Sequence, residues 1–153
     1  MVNEGDAFPD FRLPDQDGTE RTLSDLAGDS GLILYVYPKD NTPGCTTEAN
    51  DFGARQEAFR EQGYEIVGLS KDGAASHQRF IAKHEIPFPL LSDEDTGFMQ
   101  TIGAFGEKKM YGKVTQGVIR STFVIERDGT LRRALRNVRA KGHAERVLRE
   151  IGA

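Results

Sequence analysis

The sequence predicts an α/β fold: a central mixed β-sheet flanked by helices. Three observations predict it. Leu32–Tyr37 is apolar without alternation, the pattern of a strand buried on both faces. Strand-like and amphipathic helix-like segments then follow in alternation. Finally, Asp128-Gly129 marks a hairpin turn between two later strands, ahead of a last helix. With 153 residues and 37% hydrophobic content, the chain can bury one core, so a single domain over 1–153 is expected.

Each element has its own local signal. Pro38 closes the first strand. Thr42 can cap a helix, Pro43 suits its first position, and Glu48 lies in the early turns. Cys45, Ala49, Phe52 and Phe59 recur at helical spacing, and Gly63 ends that helix. Glu65–Ser70 reads as the second strand. Ala74–His84 reads as a helix with Phe80 and Ile81 inward. Ile86-Pro87-Phe88-Pro89 forces an extended connection. A short helix follows Ser92-Asp93. Gly103–Gly117, rich in Gly and Lys, reads as loop. Val118–Ile125 and Leu131–Leu135 read as strands. The last helix carries Ala144, Val147, Leu148 and Ile151 on one stripe.

Charge and composition remove several function classes. Lys and Arg total 20 against 24 Asp and Glu, so a net charge of −4 argues against general nucleic-acid or anionic-membrane binding. The basic run Arg132, Arg133, Arg136, Arg139, Lys141, Arg146 and Arg149 has no interleaved aromatics and reads as a solvated face. No apolar stretch approaches the roughly 18 residues of a membrane helix. The first residues carry no secretory signal pattern, so the cytoplasm is expected. One cysteine allows no intramolecular disulfide and no Cys-rich zinc module.

No metal site and no cofactor are expected. His77 and His84 share a helix face without a further ligand, and His143 reads as exposed at the start of the last helix. Asp93–Gly97 hints at a calcium loop, but Ala104 stands where the closing Glu belongs. Gly106–Lys113 resembles a phosphate loop one residue too long, with Val114 in place of the metal-binding hydroxyl.

Two residues stand out chemically. Cys45 falls in the first turn of a helix, where free N–H groups and the helix dipole favour a thiolate nucleophile. A small apolar core filler is an equal reading of the same position. Arg120 interrupts an apolar strand. It either points to water from an edge or meets an anion such as a thiolate or Glu48, because a guanidinium cannot shed its charge.

The segment Tyr37-Pro38-Lys39-Asp40-Asn41-Thr42-Pro43-Gly44-Cys45-Thr46-Thr47-Glu48 resembles the peroxidatic motif of the peroxiredoxins. Within them it is most similar to the bacterioferritin comigratory protein (PrxQ) subfamily. Gly5-Asp6-Ala7-Phe8-Pro9-Asp10-Phe11, Gly106–Lys113 and Gly117–Phe123 extend the resemblance over nearly the whole chain. It implies a thioredoxin-like fold with an N-terminal extension. It also implies reduction of hydrogen peroxide or organic hydroperoxides, with Cys45 passing through a sulfenic acid. By the same resemblance, Thr42 hydrogen-bonds thiolate and peroxide, Arg120 stabilises both, and Pro38 shields the pocket. Gly44 and Cys45 N–H groups hold peroxide oxygens, and Glu48 orients Arg120.

The chain departs from the subfamily at Asn50, where many members carry a resolving cysteine. With one cysteine, turnover needs an external thiol: thioredoxin, a glutaredoxin or a low-molecular-weight thiol. The resemblance implies a monomer. The rival readings are a cysteine hydrolase with a histidine base and a non-enzymatic thioredoxin-fold redox sensor or holdase.

Overall fold

The computed structural model describes residues 1–152; Met110 is described in its backbone alone. A small N-terminal pair, β1 (Leu13–Pro14) and β2 (Glu20–Arg21), precedes a one-turn helix α1 (Leu23–Leu26). The core strand β3 (Gly31–Val36) leads to α2 (Pro43–Ala54), α3 (Gln56–Glu61) and β4 (Tyr64–Ser70). Then come α4 (Ala74–His84), β5 (Leu90–Ser92) and α5 (Gly97–Thr101). The strands β6 (Phe105–Met110), β7 (Lys113–Val118), β8 (Ser121–Glu126) and β9 (Leu131–Arg136) lead to α6 (His143–Ile151).

The central sheet runs β5-β4-β3-β8-β9. The β3–β4 and β4–β5 pairs are parallel, and β3–β8 and β8–β9 are antiparallel, so the sheet is mixed as the sequence predicts. It is a thioredoxin-like α/β arrangement. All six residues of β3 are buried because both faces are covered. Ile33, Tyr35 and Tyr37 pack with Phe52, Phe59, Phe80 and Val147 under α2, α3, α4 and α6. Leu32, Leu34 and Val36 pack oppositely with Phe8, Phe11, Leu69, Met99 and Phe123. A sheet covered on both sides has no reason to alternate polar and apolar residues, which explains the continuous run. Gly31 is the glycine that the sheet requires, since a β-carbon there would collide with the carbonyl oxygen of Ile125.

Three expectations are corrected. The single helix ending at Gly63 is two: the chain breaks at Arg55 (φ −107°, ψ 9°), which ends α2 and precedes α3. Gly103–Gly117 is not loop. It holds β6 and most of the β6–β7 hairpin, whose cross-strand hydrogen bonds run from Phe105–Val118 to Met110–Lys113. Pairing of backbone with backbone there needs no apolar pattern, and β7 is exposed over four residues. The strand expected over 118–125 is interrupted at Ile119 and Arg120.

Two loops that suggested ligands have structural explanations. Asp93 accepts the Met99 N–H at 2.8 Å and Asp95 accepts the Gly97 N–H at 2.9 Å, so both serve the start of α5. Gly106–Lys113 belongs to the hairpin. Among the described residues, no group of three or more His, Cys, Asp or Glu could hold a metal ion, and no helix is long and apolar enough to cross a membrane.

Candidate active site

The site forms where β3 ends and α2 begins. Thr42 takes the N-cap position in extended conformation, Pro43 starts the helix, and Cys45 is its third residue. The first-turn N–H groups therefore point outward from the end of the sheet, with no side-chain cap on them. Thr42 does not cap as the sequence suggests. Its hydroxyl donates to the Lys39 carbonyl at 2.8 Å and so closes the loop over residues 39–42. Pro38 and Gly44 are partly buried beside it.

Cys45 is 1% exposed and packs in the aromatic cluster, so the core-filler description of its surroundings holds. It also has a polar partner. Arg120 Nη2 donates to Cys45 Sγ at 3.3 Å, and Arg120 Nη1 bonds Glu48 Oε1. Arg120 therefore does not point to water from an edge. The register explains how it arrives. Val36 pairs with Ser121, which places Arg120 beyond the end of β3, beside the loop that leads to Cys45. The break in the strand frees its peptide from the sheet, and Val138 N–H holds its carbonyl at 3.0 Å.

Glu48 is fully buried one turn along α2 from Cys45. Burial pushes its carboxyl up to about 7, against the pull of the Arg120 guanidinium. Its Oε2 is buried without a hydrogen-bond partner. The charge of Arg120 is held by Glu48 and Cys45, which outweigh its burial and raise its pKa. One guanidinium thus faces two groups that can each carry a negative charge.

Asn50 is exposed on α2. The sequence reading places His143 at the surface, whereas it is 3% exposed. Its Nε2 lies 2.7 Å from Thr122 Oγ1, and its ring meets Phe52 edge-on at 6.1 Å. Burial, then Arg146 and Arg120, push its pKa down to about 4. His77 lies on the buried face of α4 with Phe80 and is fully buried. Its Nδ1 meets Asp40 Oδ2 at 2.8 Å and its Nε2 meets the Leu91 carbonyl at 3.0 Å. Neither buried histidine is hydrogen-bonded to Cys45, so the hydrolase reading finds no base in contact with the thiol.

The sequence reading missed the loop anchor around Asp40. Its carboxylate accepts from Tyr37 Oη at 2.6 Å, Ser76 Oγ at 2.8 Å and His77. Its own N–H donates to Asp72 at 2.8 Å. The available signal was weak: a Ser-His pair at the start of a helix whose next inward residue is Phe80.

The AhpC/TSA family model matches residues 4–134. Peroxiredoxin Bcp of Xanthomonas campestris is 43% identical over 144 residues, covering 94% of this chain and 89% of the relative. A structure of X. campestris bacterioferritin comigratory protein, described for its alkyl peroxide reduction activity, superimposes with a TM-score of 0.86. It is 40% identical and covers 96% of this chain and 98% of its own. A mutant PrxQ of Xylella fastidiosa gives a TM-score of 0.89 at 36% identity, covering 99% and 96%. The chain belongs to the AhpC/TSA family, as a peroxiredoxin of the Bcp (PrxQ) type with a single cysteine.

Proposed function

We propose that this peroxiredoxin reduces hydrogen peroxide and organic hydroperoxides at Cys45 and relies on an external thiol to complete each turnover. The observation that carries the reading is the Arg120 Nη2 to Cys45 Sγ contact of 3.3 Å inside a water-excluding core. A guanidinium at that distance stabilises a thiolate and stays in place as negative charge moves to the departing oxygen. Alkyl peroxide reduction by the X. campestris relative supports organic hydroperoxides as substrates here.

The chemistry balances as follows. Cys45 thiolate attacks one peroxide oxygen, the S–O bond forms, the O–O bond breaks, and the leaving alkoxide or hydroxide takes up a proton. The Gly44 and Cys45 N–H groups, at the positive end of α2, hold the peroxide oxygens. The Thr42 hydroxyl spends its one proton on Lys39, so its oxygen accepts the peroxide O–H. Pro38 walls the pocket from water, and Glu48 orients Arg120. An external thiol then displaces the sulfenic hydroxyl, releasing water and leaving a mixed disulfide on Cys45. A second thiol releases Cys45. We place this cycle in a monomer in the cytoplasm, where thiol reductants are abundant.

The test is peroxide consumption with a panel of reductants, for the wild type and Cys45→Ser, with intact mass recorded after peroxide alone and after added thiol. The expected result is loss of consumption in the variant, one oxygen on the wild-type chain, then one thiol adduct per chain. Wild-type rates from Cys45→Ser would overturn the mechanism. Full conversion to a covalent dimer would replace the external thiol with a second copy of the chain.

A further inference from the structure

The segment between β9 and α6 forms a cleft of about 270 Å³ that neither half of the proposed cycle uses. Asn137, Val138, Arg139, Lys141, His143 and Arg146 line it. Two left-handed residues, Asn137 (φ 57°) and Gly142 (φ 75°), bracket the segment and fold it back on itself. The cleft holds three cations in a protein whose net charge is −4.

Those cations are not consumed by the fold. Among the described residues, Arg139 and Lys141 enter no ion pair, and Arg146 has only Glu150 at 3.9 Å. The two carboxylates of α6 are engaged elsewhere as well: Glu145 with Arg149 at 3.4 Å, and Glu150 with Arg133 at 3.1 Å. The positive field is felt inside the protein, where Arg146 and Arg120 add to burial in keeping His143 from taking a proton.

The cleft also adjoins Cys45. Val138, on its wall, holds the backbone carbonyl of Arg120 at 3.0 Å. A β-carbon placed on Gly44 would lie 3.9 Å from Ala140 Cβ and 3.4 Å from Arg120 Nη2. Arg120 Nη2 is in turn 3.3 Å from Cys45 Sγ. The Val138–Arg120 and Arg120–Cys45 hydrogen bonds therefore connect the cationic segment to the sulfur, and Ala140 lies near Gly44, the residue before Cys45. A tripeptide-sized molecule extends to roughly 10 Å, so its charged ends can lie well away from its thiol.

We infer that this cleft is the docking site for the reductant, and that the reductant is an anionic low-molecular-weight thiol whose carboxylates sit on Arg139, Lys141 and Arg146. The inference rests on the peroxidase reading, because it supplies that cycle's missing thiol. The docked thiol attacks the Cys45 sulfenic acid; an S–S bond forms, the S–O bond breaks, and the thiol proton leaves with the hydroxyl as water. A second molecule of the same thiol then releases Cys45 and departs as the low-molecular-weight disulfide.

The experiment has two arms. In the first, S-methylglutathione, which carries the charges without a free thiol, is titrated into the reduced wild-type chain and into an Arg139→Glu/Lys141→Glu variant, with backbone amide shifts recorded by NMR. Shifts centred on residues 137–146 in the wild type, weakened in the variant, are expected; shifts centred elsewhere would overturn the proposal. In the second arm, kcat/KM is measured with glutathione and with cationic cysteamine. The glutathione-to-cysteamine ratio should fall by about tenfold or more in the variant, and the wild-type ratio should fall with rising salt. An unchanged ratio would overturn the proposal. The ratio cancels any change in folding or in the peroxide step, which the two thiols share. Absence of peroxide consumption with amide shifts intact would support the cleft and count against the peroxidase reading alone.

Discussion

His77 Nδ1 lies 2.8 Å from the Asp40 carboxylate, and both side chains are buried. The contact ties α4 to the loop that ends at Thr42 and Cys45. Burial raises the Asp40 pKa, but hydrogen bonds from His77 and Tyr37 outweigh it and hold the carboxyl below its ordinary value of 3.8. The other ring nitrogen faces the Leu91 carbonyl, so His77 also links the loop to β5. His77→Ala would leave a buried carboxylate short of its strongest donor. The expected loss is about 3–5 kcal/mol of unfolding free energy by urea denaturation. Wild-type stability in that variant would show that the pair anchors nothing.

Glu48 and His143 give stability opposite pH slopes. Glu48 titrates near 7 when folded against 4.5 when unfolded, so the native chain keeps a proton that the unfolded chain has released. Its contribution falls as pH rises through that window. His143 titrates near 4 when folded against 6.5, so the unfolded chain binds a proton that the native chain refuses. Its contribution rises with pH through that window. The two oppose each other between 4.5 and 6.5. Glu48→Gln should therefore gain stability as pH rises there, and His143→Gln should lose it, by at most about 1.4 kcal/mol per pH unit. Denaturation midpoints measured across the window check both signs; parallel curves for the two variants would refute the assignment.

Arg120→Lys keeps the charge but not the fork. A guanidinium reaches Glu48 and Cys45 at once, whereas an ammonium is a single point charge. The rate of Cys45 oxidation by peroxide should drop by about 10²–10³. Stopped-flow measurement under single-turnover conditions isolates that step. A drop of less than threefold would mean that charge alone suffices.

Thr42 can be tested by shape. Thr42→Val removes the hydroxyl bonded to Lys39 and the acceptor proposed for the peroxide. An activity loss of about 10²-fold is expected, with most of it restored in Thr42→Ser. If valine and serine behave alike, the hydroxyl has no part in the reaction.

What could be read beforehand followed the physics of each segment. The β3 run and the α4 and α6 stripes are written in hydrophobic pattern, and they appear in the structure within a residue or two of their expected bounds. Cys45 and Arg120 were legible because each is chemically out of place in its segment. The β6–β7 hairpin was not legible, because it lies largely in solvent and its pairing uses backbone groups that every sequence has. The burial of His77 and His143 was not legible either. His77 depends on oxygens of Asp40 and Leu91 and His143 on that of Thr122, and local pattern carries no trace of such partners.

In the proposed cycle the fork of Arg120 changes partners as the sulfur changes state. While Cys45 is a thiolate, one cation serves two anions, and the surroundings disfavour the arrival of a third. Once the sulfur is oxidised to the uncharged sulfenic acid, the negative charge has left with the product, and Arg120 answers to Glu48 alone. A negatively charged reductant then approaches a site that carries one negative charge fewer than before. Oxidation of one atom thus removes a negative charge from beside Arg120 and eases the approach of an anionic thiol.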